Sequence, residues 1–514
     1  MNNALHILRT SLESIQRRMV QTEARWQSVI SAVHPLQRQS ATNLLHYLAL
    51  RREDLRDFQD ELHNAGLSSL ASSESHALRQ VQEVLARMGA RVAPKDLSPC
   101  DYPTAFHNLT HRTSALFGPK VNPNIPHLMV TFDSGMADDY TGVKALVQAG
   151  MNVARINCAH DAPGAWAAMV ENVRKASMAT GNPCKIYMDL AGPKIRTLLL
   201  GKGQKKGRLK LGEDEHFWLA EKDAPFGRKD KVIGCTLAGV VKDLRPGHRV
   251  LFDDGLFESV VEKTDGAMAL LRMSRVSAAK PRLKPEKGIN FPDTGLSVRC
   301  LTDFDRSVLP FAHTYADIVG FSFVRQAVEV AELQELLRRP DGKSLPLVLK
   351  IETFDAVQNL PALLLQGMAE PVFGVMIARG DLAVEIGFER LSEIQEEILW
   401  LCEAAHVPVI WATQVLESLN KSGIATRSEV TDAARAAHAE CVMLNKGKYL
   451  LEVLATLRDI LRRSGGHHLK KRYVFRPLGI AEQFLQRIPG ANSTGRRKET
   501  ARRKKAKPVP SHLN

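Results

Sequence analysis

Between residue 126 and about 462 short apolar runs alternate with helical segments, and this alternation limits the possible folds more than any other feature of the sequence. The predicted strands number eight and cover 127–132, 153–158, 185–190, 317–323, 345–352, 372–378, 408–414 and 441–445. Strands that alternate with helices pair in parallel, and eight such units close into a barrel. The sequence therefore predicts an α/β fold, a (β/α)8 TIM barrel, with polar residues gathered at the carboxyl ends of its strands.

The interval between the third and fourth predicted strands is too long for one barrel connection. It contains Gly- and Lys-rich turns and β-type runs at 216–219 and 248–252. We predict a small inserted β domain over 198–287, placed as a lid over the barrel mouth. The barrel is then divided into a first part, 121–197, and a second part, 288–462.

Residues 1–120 have a different pattern. Apolar residues recur at helical spacing in three stripes, over 5–29, 44–62 and 78–88, which predicts an N-terminal α-helical extension that serves packing or dimerisation. Residues 463–514 combine few apolar residues with repeated positive charge, and we predict a basic, flexible tail.

Half of the net charge of +14 lies at one end of the chain. Residues 496–507 carry eight Lys or Arg and one Glu, so we expect nucleic-acid contact only as nonspecific binding by the tail. No run approaches the ~20 apolar residues of a membrane span, and the polar start does not match a signal peptide. The seven cysteines are scattered without metal-ligand spacing, which favours reduced thiols in a cytoplasmic protein.

Two neighbouring strand ends carry the most informative polar residues. Lys350 and Glu352 stand two positions apart at the end of one predicted strand, so their side chains point to the same face. The segment Ala378-Arg379-Gly380-Asp381-Leu382 follows the next strand and opens a predicted helix. One ammonium and two carboxylates therefore meet, an arrangement suited to a magnesium-assisted reaction on phosphate or on an enolate.

Seven motifs occur along 126–460 in an order that resembles the pyruvate kinase family. They are Gly150-Met-Asn-Val-Ala-Arg155-Ile-Asn157-Cys-Ala-His160, Asp189 with Gly192-Pro-Lys-Ile-Arg196-Thr197, Asp253-Asp254-Gly255-Leu256, Lys287-Gly-Ile-Asn-Phe-Pro292, Lys350-Ile-Glu352, Ala378-Arg-Gly-Asp381 and Ala412-Thr413-Gln414-Val-Leu-Glu-Ser418. The resemblance implies a phosphotransferase that moves the phosphoryl group of phosphoenolpyruvate to ADP and forms pyruvate and ATP.

The resemblance also implies a role for each matched residue. Glu352 and Asp381 would hold Mg²⁺ or Mn²⁺, and Lys350 would place its ammonium on the transferring phosphoryl group. Arg155 would grip phosphate, and Thr413 would help deliver a proton to the enolate carbon. Further implied contacts are those of Arg379, Gly380 and Ser322 with the substrate, and those of Asn157, His160, Arg196 and Lys287 with the nucleotide.

The chain departs from the family where many members bind a monovalent cation through Asn, Ser, Asp and Thr. It keeps Asn157 and Asp189 but has Ala159 and Leu190 at the other two positions. Lys194 stands where potassium-dependent members have Glu, and its ammonium could substitute for the ion. We therefore expect activity without added potassium.

Other departures concern loops and assembly. The loop 133–136 replaces a Gly-Pro-Ala-Ser turn that usually touches the nucleotide, and 445–448 replaces a Ser-Gly-Glu-Thr type of sequence. The ~50 residues after Leu461 leave no room for the usual C-terminal effector domain. We expect a homo-oligomer in which the helical extension contributes to assembly.

Two alternatives stay open. A metal-dependent lyase or aldolase that acts on pyruvate enolate would share the two carboxylates, although it has less need for Lys350. A degenerate barrel could instead act as a binding or regulatory protein, which the altered loop 133–136 favours and the intact charged residues oppose. For Thr413, His160 and Ser322, ordinary hydrogen bonding at strand ends is a further interpretation.

Overall fold

The computed structural model describes residues 2–200 and 207–465, apart from 222–223, 225–226, 228–229, 278–280, 340–341 and 343, together with the backbone of 468–469 and 472–473. Most of the predicted basic tail therefore lies outside the described residues. In the described part of the chain, no helix combines the length and the apolar character needed to cross a bilayer.

In the described part of the chain, six α-helices precede the barrel. Their apolar faces pack on one another, with Leu12, Met19, Leu44 and Val81 fully buried. The helices are α1 (Asn2–Arg25), α2 (Gln27–Ala32), α3 (Arg38–Leu50), α4 (Arg56–Asn64), α5 (Ala77–Arg87) and α6 (Tyr102–Phe117).

Two of the three predicted helical stripes are interrupted. The first breaks at Trp26, which separates α1 from α2, and the second breaks after Leu50, where α3 ends. Four exposed charged residues, 51–54, fill the gap before α4. Apolar spacing located the buried faces, but it did not locate these breaks because each break lies between buried positions of the same stripe.

The extension and the barrel share one continuous apolar core. Helix α6 reaches furthest, because Leu116 and Phe117 belong to the apolar cluster inside the barrel, together with Met129 and Ile410. Phe117 packs against His127 at the start of the first strand, with ring centroids 5.4 Å apart. The end of α6 therefore closes the amino-terminal end of the barrel.

All eight predicted barrel strands are present, each one to three residues shorter than predicted. The strands in chain order are β1 (His127–Thr131), β2 (Val153–Asn157), β3 (Lys185–Asp189), β4 (Thr197–Leu199), β5 (Leu209–Lys210), β6 (His216–Ala220), β7 (Val232–Cys235), β8 (Arg249–Phe252), β9 (Phe257–Thr264), β10 (Met268–Val276), β11 (Arg282–Leu283), β12 (Ile289–Asn290), β13 (Ile318–Phe321), β14 (Leu347–Ile351), β15 (Phe373–Ala378), β16 (Val409–Ala412), β17 (Cys441–Leu444), β18 (His468–Leu469) and β19 (Arg472–Tyr473).

The barrel closes in the order β1-β17-β16-β15-β14-β13-β3-β2, and every pair within it is parallel. Its strands are buried along nearly their whole length, as expected of parallel strands covered by helices. The (β/α)8 TIM barrel prediction is confirmed.

The remaining α-helices of the described residues are α7 (Tyr140–Gln148), α8 (Pro163–Thr180), α9 (Asp303–Tyr315), α10 (Ala327–Leu337), α11 (Phe354–Gln358), α12 (Leu360–Gly367), α13 (Arg379–Ile386), α14 (Leu391–Ala404), α15 (Glu417–Ser422), α16 (Arg427–Arg435) and α17 (Leu450–Gly465).

The segment between β3 and α9 forms a β domain with a core of its own. Its main sheet has the order β12-β8-β9-β10-β6-β7-β4, and β5 pairs with β11. The apolar core extends from Ile195 to Phe291, slightly beyond the predicted range. At the β8–β9 turn, Asp253, Asp254 and Gly255 adopt positive φ values of 53°, 55° and 81°. This turn approaches Val384 and Phe388 near α13, so the inserted domain contacts the barrel beside its mouth.

Candidate active site

Polar side chains from several strands surround a cavity of about 650 Å³ at the carboxyl ends of the barrel strands. Parallel strands bring their carboxyl ends to the same edge, so residues distant in sequence meet there. Most of the predicted site residues line this cavity, namely Arg155, Asn157, His160, Asp189, Lys194, Arg196, Ser322, Lys350, Glu352, Asp381 and Thr413.

Lys350 is a buried cation at the base of the cavity. Its Nζ lies 3.1 Å from Asp189 Oδ2, 3.3 Å from Glu352 Oε1 and 2.6 Å from Ser322 Oγ. Burial disfavours the ammonium, but the charges of Asp189 and Glu352 outweigh it and raise the pKa of Lys350. Lys350 therefore supplies a fixed positive charge at neutral pH.

Arg155 binds the same carboxylate as Lys350. Its Nε and Nη2 donate to Asp189 Oδ2 at 3.0 and 2.5 Å, and its Nη1 donates to Thr131 Oγ1 at 3.0 Å. Burial acts to raise the pKa of Asp189, but Lys350 and Arg155 together lower it. Arg155 and Lys350 therefore hold one ionised carboxylate between them, and both cations line the cavity that an anion would enter.

Glu352 and Asp381 could hold a divalent cation. Burial raises the pKa of Glu352, and of the nearby charges Lys350 lowers it while Asp381 raises it further. In the described residues, no group of three or more His, Cys, Asp or Glu forms a complete metal cage. Mg²⁺ usually takes one or two carboxylates and completes its shell with water and substrate phosphate. Two hard oxygen ligands that repel each other across the cavity fit such an ion.

Lys194 contacts Asp381 through both carboxylate oxygens, at 2.8 and 2.9 Å. The cations beside Asp189 are Arg155 and Lys350 instead. The structure thus places the Lys194 ammonium on a predicted metal ligand and not beside the predicted monovalent-cation residues. No sequence pattern indicated this partner, because the two residues lie 187 positions apart.

Thr413 lies in a turn of unusual backbone conformation after β16. Its φ is 65°, and Gln414 and Leu416 have φ values of 56° and 49°. The backbone N–H of Gly380 donates to Thr413 Oγ1 at 2.9 Å. Gly380, which was expected to contact the substrate, therefore has its amide bonded to Thr413.

Three predicted contact residues do not line the cavity. The guanidinium of Arg379 is buried behind it and donates to the carbonyl oxygens of Ala412 and Thr413, and Gly380 contributes only its amide to Thr413. Lys287 pairs with Asp253 at 2.7 Å within the inserted domain. Their membership of the motifs did not determine the direction of the Arg379 and Lys287 side chains or of the Gly380 amide.

Two basic residues that the sequence analysis did not select also line the cavity, Lys421 and Lys446. Burial lowers the pKa of His160, and Lys446 and Arg196 add to this effect. Lys446 follows the carboxyl end of β17 directly, and this position was the available signal, whereas Lys421 lies on α15.

These features define a (β/α)8 barrel with an inserted β domain and a cavity suited to phosphate and a divalent ion. The family model described as "Pyruvate kinase, barrel domain" matches residues 117–452. The chain belongs to the pyruvate kinase family, which confirms the resemblance and favours the phosphotransferase hypothesis over its alternatives.

Individual relatives agree with this assignment. A pyruvate kinase of Bacillus licheniformis is 32% identical over 326 residues, which cover 62% of this chain and 54% of that protein, and a pyruvate kinase of Leishmania mexicana is 32% identical over 364 residues, 69% of each chain. The chain thus spans about half the length of the first relative. The solved structure of a pyruvate kinase from Cryptosporidium parvum has a TM-score of 0.60 at 24% identity and covers 68% of this chain and 72% of that one, which supports the fold.

Proposed function

We propose that this protein transfers the phosphoryl group of phosphoenolpyruvate to ADP and forms pyruvate and ATP. The observation that carries the proposal is the cluster at the base of the cavity, where Lys350 and Arg155 share Asp189 beside the carboxylates of Glu352 and Asp381. The ammonium and the guanidinium suit the oxygens of a phosphorylated anion, the carboxylates of Glu352 and Asp381 suit a divalent ion, and membership of the family supports the reaction class.

Lys350 would stabilise the transferring group directly. Negative charge spreads over the phosphoryl oxygens in a loose transition state. One charge pair at 4 Å is worth about 4 kcal/mol at an effective dielectric constant of ~20, which corresponds to about a thousandfold in rate. Ser322 and Asp189 hold the ammonium in place for this role.

Glu352 and Asp381 would hold Mg²⁺ or Mn²⁺, a Lewis acid that neutralises charge on phosphoryl and enolate oxygens when it is bound. Arg155 would bind phosphate through its guanidinium. Thr413 Oγ1 accepts a hydrogen bond from Gly380, so its own hydroxyl hydrogen remains available to donate. This arrangement supports proton delivery from Thr413 to the enolate carbon.

The nucleotide would enter from the side of Asn157, His160 and Arg196, which line the outer part of the cavity. Lys287 belongs to the inserted domain, and we propose that it reaches the nucleotide phosphates when that domain closes over the barrel. The loop 133–136 lies beside this entrance, since Ser134 Oγ donates to Asp161 Oδ1 at 2.6 Å.

A coupled assay with lactate dehydrogenase tests the reaction. We expect the full chain to form pyruvate from phosphoenolpyruvate and ADP with Mg²⁺, and to stop when the metal is chelated. Lys350→Met should reduce turnover by about a thousandfold. The matched control is Lys185→Met. It replaces a lysine at the amino-terminal end of β3, the end of the barrel opposite to the cavity. Equal turnover by the parent and Lys350→Met would contradict the proposed role of Lys350.

We also propose that the reaction needs no monovalent cation, because Lys194 brings an ammonium to the cavity. Turnover should be the same in potassium and in tetramethylammonium salts. Lys194→Glu should create a potassium requirement, and a requirement in the parent would contradict the proposal.

A further part of the proposed function concerns the oligomeric state of the protein and its contact with nucleic acid. We propose a cytoplasmic homo-oligomer whose contact with nucleic acid is nonspecific and confined to the basic tail. Light scattering would give the subunit number. Deletion of 491–514 should abolish salt-sensitive retention on DNA, and retention that survives the deletion would contradict the role of the tail.

A further inference from the structure

The turn after β16 holds a residue in a conformation that it avoids on its own. Thr413 has a φ of 65°, and Gln414 has a φ of 56°. A β-branched residue with positive φ is an outlier, because its side chain crowds the backbone there. Such a conformation persists only where the surrounding structure over-determines it.

The side chain of Arg379 supplies this constraint. Its Nε donates to the Ala412 carbonyl oxygen at 2.9 Å, and its Nη2 donates to the Thr413 carbonyl oxygen at 2.5 Å. These carbonyls belong to the two peptide planes on either side of the Thr413 Cα. Fixing both planes fixes φ and ψ of Thr413, which sets the direction of its side chain.

Arg379 is itself held on its other sides. Its guanidinium lies over the Trp411 ring, 4.6 Å from the centroid, and its Nη1 pairs with Asp432 of α16. The residue is only 6% exposed. The planar guanidinium group has several N–H donors, so it can contact two carbonyl oxygens, a carboxylate and an aromatic ring at the same time. A lysine ammonium cannot reproduce this geometry.

The neighbouring residue fixes the hydroxyl. Gly380 donates its backbone N–H to Thr413 Oγ1, so residues 379 and 380 control the backbone and the side chain of Thr413 respectively. The start of α13 and the turn after β16 therefore form one unit.

We propose that Arg379 is a positioning residue, which holds Thr413 in the left-handed conformation that directs its hydroxyl into the cavity and does not itself touch the substrate. The inference rests on the proposed function, in which Thr413 delivers a proton to the enolate carbon. It replaces the substrate contact that the sequence assigned to Arg379.

The first test is Arg379→Lys in the full chain. We expect kcat to fall on the order of a hundredfold, because a small displacement of a reacting group has that effect. The KM for phosphoenolpyruvate should change by no more than about twofold, since ground-state binding is not altered. Exchange of pyruvate methyl protons with D₂O, followed by NMR with ATP and Mg²⁺ present, should slow in parallel because it isolates the proton step.

The second test is rescue by glycine. Gln414 is exposed and shares the left-handed backbone of the turn, and glycine adopts this conformation without a steric penalty. Arg379→Lys combined with Gln414→Gly should recover roughly tenfold of the lost turnover. Gln414→Gly alone serves as the matched control and should stay within about twofold of the parent.

The outcomes separate the inference from the proposed function. A parent that does not use phosphoenolpyruvate contradicts the proposed function, and the crystal structure of Arg379→Lys still tests the inference, because Thr413 should leave its positive φ. An unchanged φ of Thr413 or an unchanged exchange rate in that variant would overturn the inference, and so would a rise in KM at constant kcat.

If Arg379→Lys does not fold, Asp432→Asn is the alternative test, because it removes one partner of the guanidinium. We expect Asp432→Asn to lower kcat as well, and an unchanged kcat would contradict the inference.

Discussion

Two buried cations, Lys350 and Arg112, lie in different parts of the molecule and have opposite surroundings. Lys350, in the cavity, is 7% exposed and lies beside the carboxylates of Asp189 and Glu352. Arg112, on α6, is 4% exposed. Its guanidinium donates to neutral oxygens, those of the Ser40 hydroxyl and of the Leu36, Ala405 and His406 carbonyls.

The pKa values of the two groups differ accordingly. The pKa of Lys350 is raised because carboxylates outweigh burial, whereas burial lowers the pKa of Arg112 to about 10. Neutral acceptors satisfy the donors of Arg112 and join the extension to the segment before β16. Lys350 and its carboxylate partners line the cavity, where a ligand can reach them. Burial of a charge alone therefore does not mark a functional site, and the charge of its partners distinguishes the two cases.

Glu385 of α13 is the anionic counterpart of Arg112. Its Oε1 accepts from Asn290 Nδ2 at 3.0 Å, which links the barrel to the end of the inserted domain. Burial raises the pKa of Glu385 to about 7, and the Asn290 hydrogen bond opposes this while Asp381 adds to it. Glu385, like Arg112, has a neutral hydrogen-bond partner, and its pKa shifts in the direction that favours the neutral form.

The largest effect on stability is expected for Asp189→Asn. It removes the carboxylate that balances two buried cations, and breaking a buried pair in this way costs about 4 kcal/mol. Urea unfolding without metal or substrate would measure the loss. The control Asp317→Asn, in a half-exposed pair with Lys185, should cost about 1 kcal/mol or less. Similar losses for both variants would remove the distinction between the cavity and the surface.

Glu385→Gln should change the pH dependence of stability. The pKa of Glu385 is higher in the folded state than in the unfolded state, so the folded state binds the proton more tightly. The contribution of Glu385 to the free energy of unfolding is therefore fully present below about pH 4.5, and it is lost as the pH rises through 7. Glutamine stays neutral, and we expect the variant to be more stable than the parent by about 3 kcal/mol at pH 8 and by less than about 1 kcal/mol at pH 5. Urea unfolding at both pH values checks this, and a difference independent of pH would contradict it.

Arg112→Met should have the smallest effect of the three. It leaves several buried oxygens without a donor but also removes a desolvated charge, and we expect a net loss of about 2 kcal/mol. Turnover at temperatures where the variant is folded should be unchanged. Arg87→Met, at an exposed ion pair of α5, is the control and should cost less than about 0.5 kcal/mol. If Arg112→Met were more stable than the parent, the desolvation penalty of the buried guanidinium would exceed the stabilisation from its hydrogen bonds.

Sequence patterns predicted the barrel because each strand is a continuous buried run. The spacing of Lys350 and Glu352 placed both on one face, and the parallel topology then required their strand to end beside that of Asp381. The helical stripes of the extension were predictable in the same way. That Leu116 and Phe117 enter the barrel was not, because an apolar face indicates burial but not its partner.

The site was predictable as a set of residues and not as a set of contacts. Lys194 was expected near Asp189 and lies on Asp381, and Arg379 was expected at the substrate and lies behind Thr413. Each of these side chains is long and flexible, so its direction depends on which opposite charge or carbonyl the fold brings within reach.

By itself the sequence determined that this chain forms a (β/α)8 barrel with an inserted β domain and a helical extension, and that one lysine and two carboxylates meet at its strand ends. These properties follow from local periodicity and from residues close together in the chain. Only the tertiary structure decided which charges balance one another and which residue holds Thr413 in its turn. Those contacts join segments tens to hundreds of residues apart, and their energies depend on distance and burial, which no local pattern encodes.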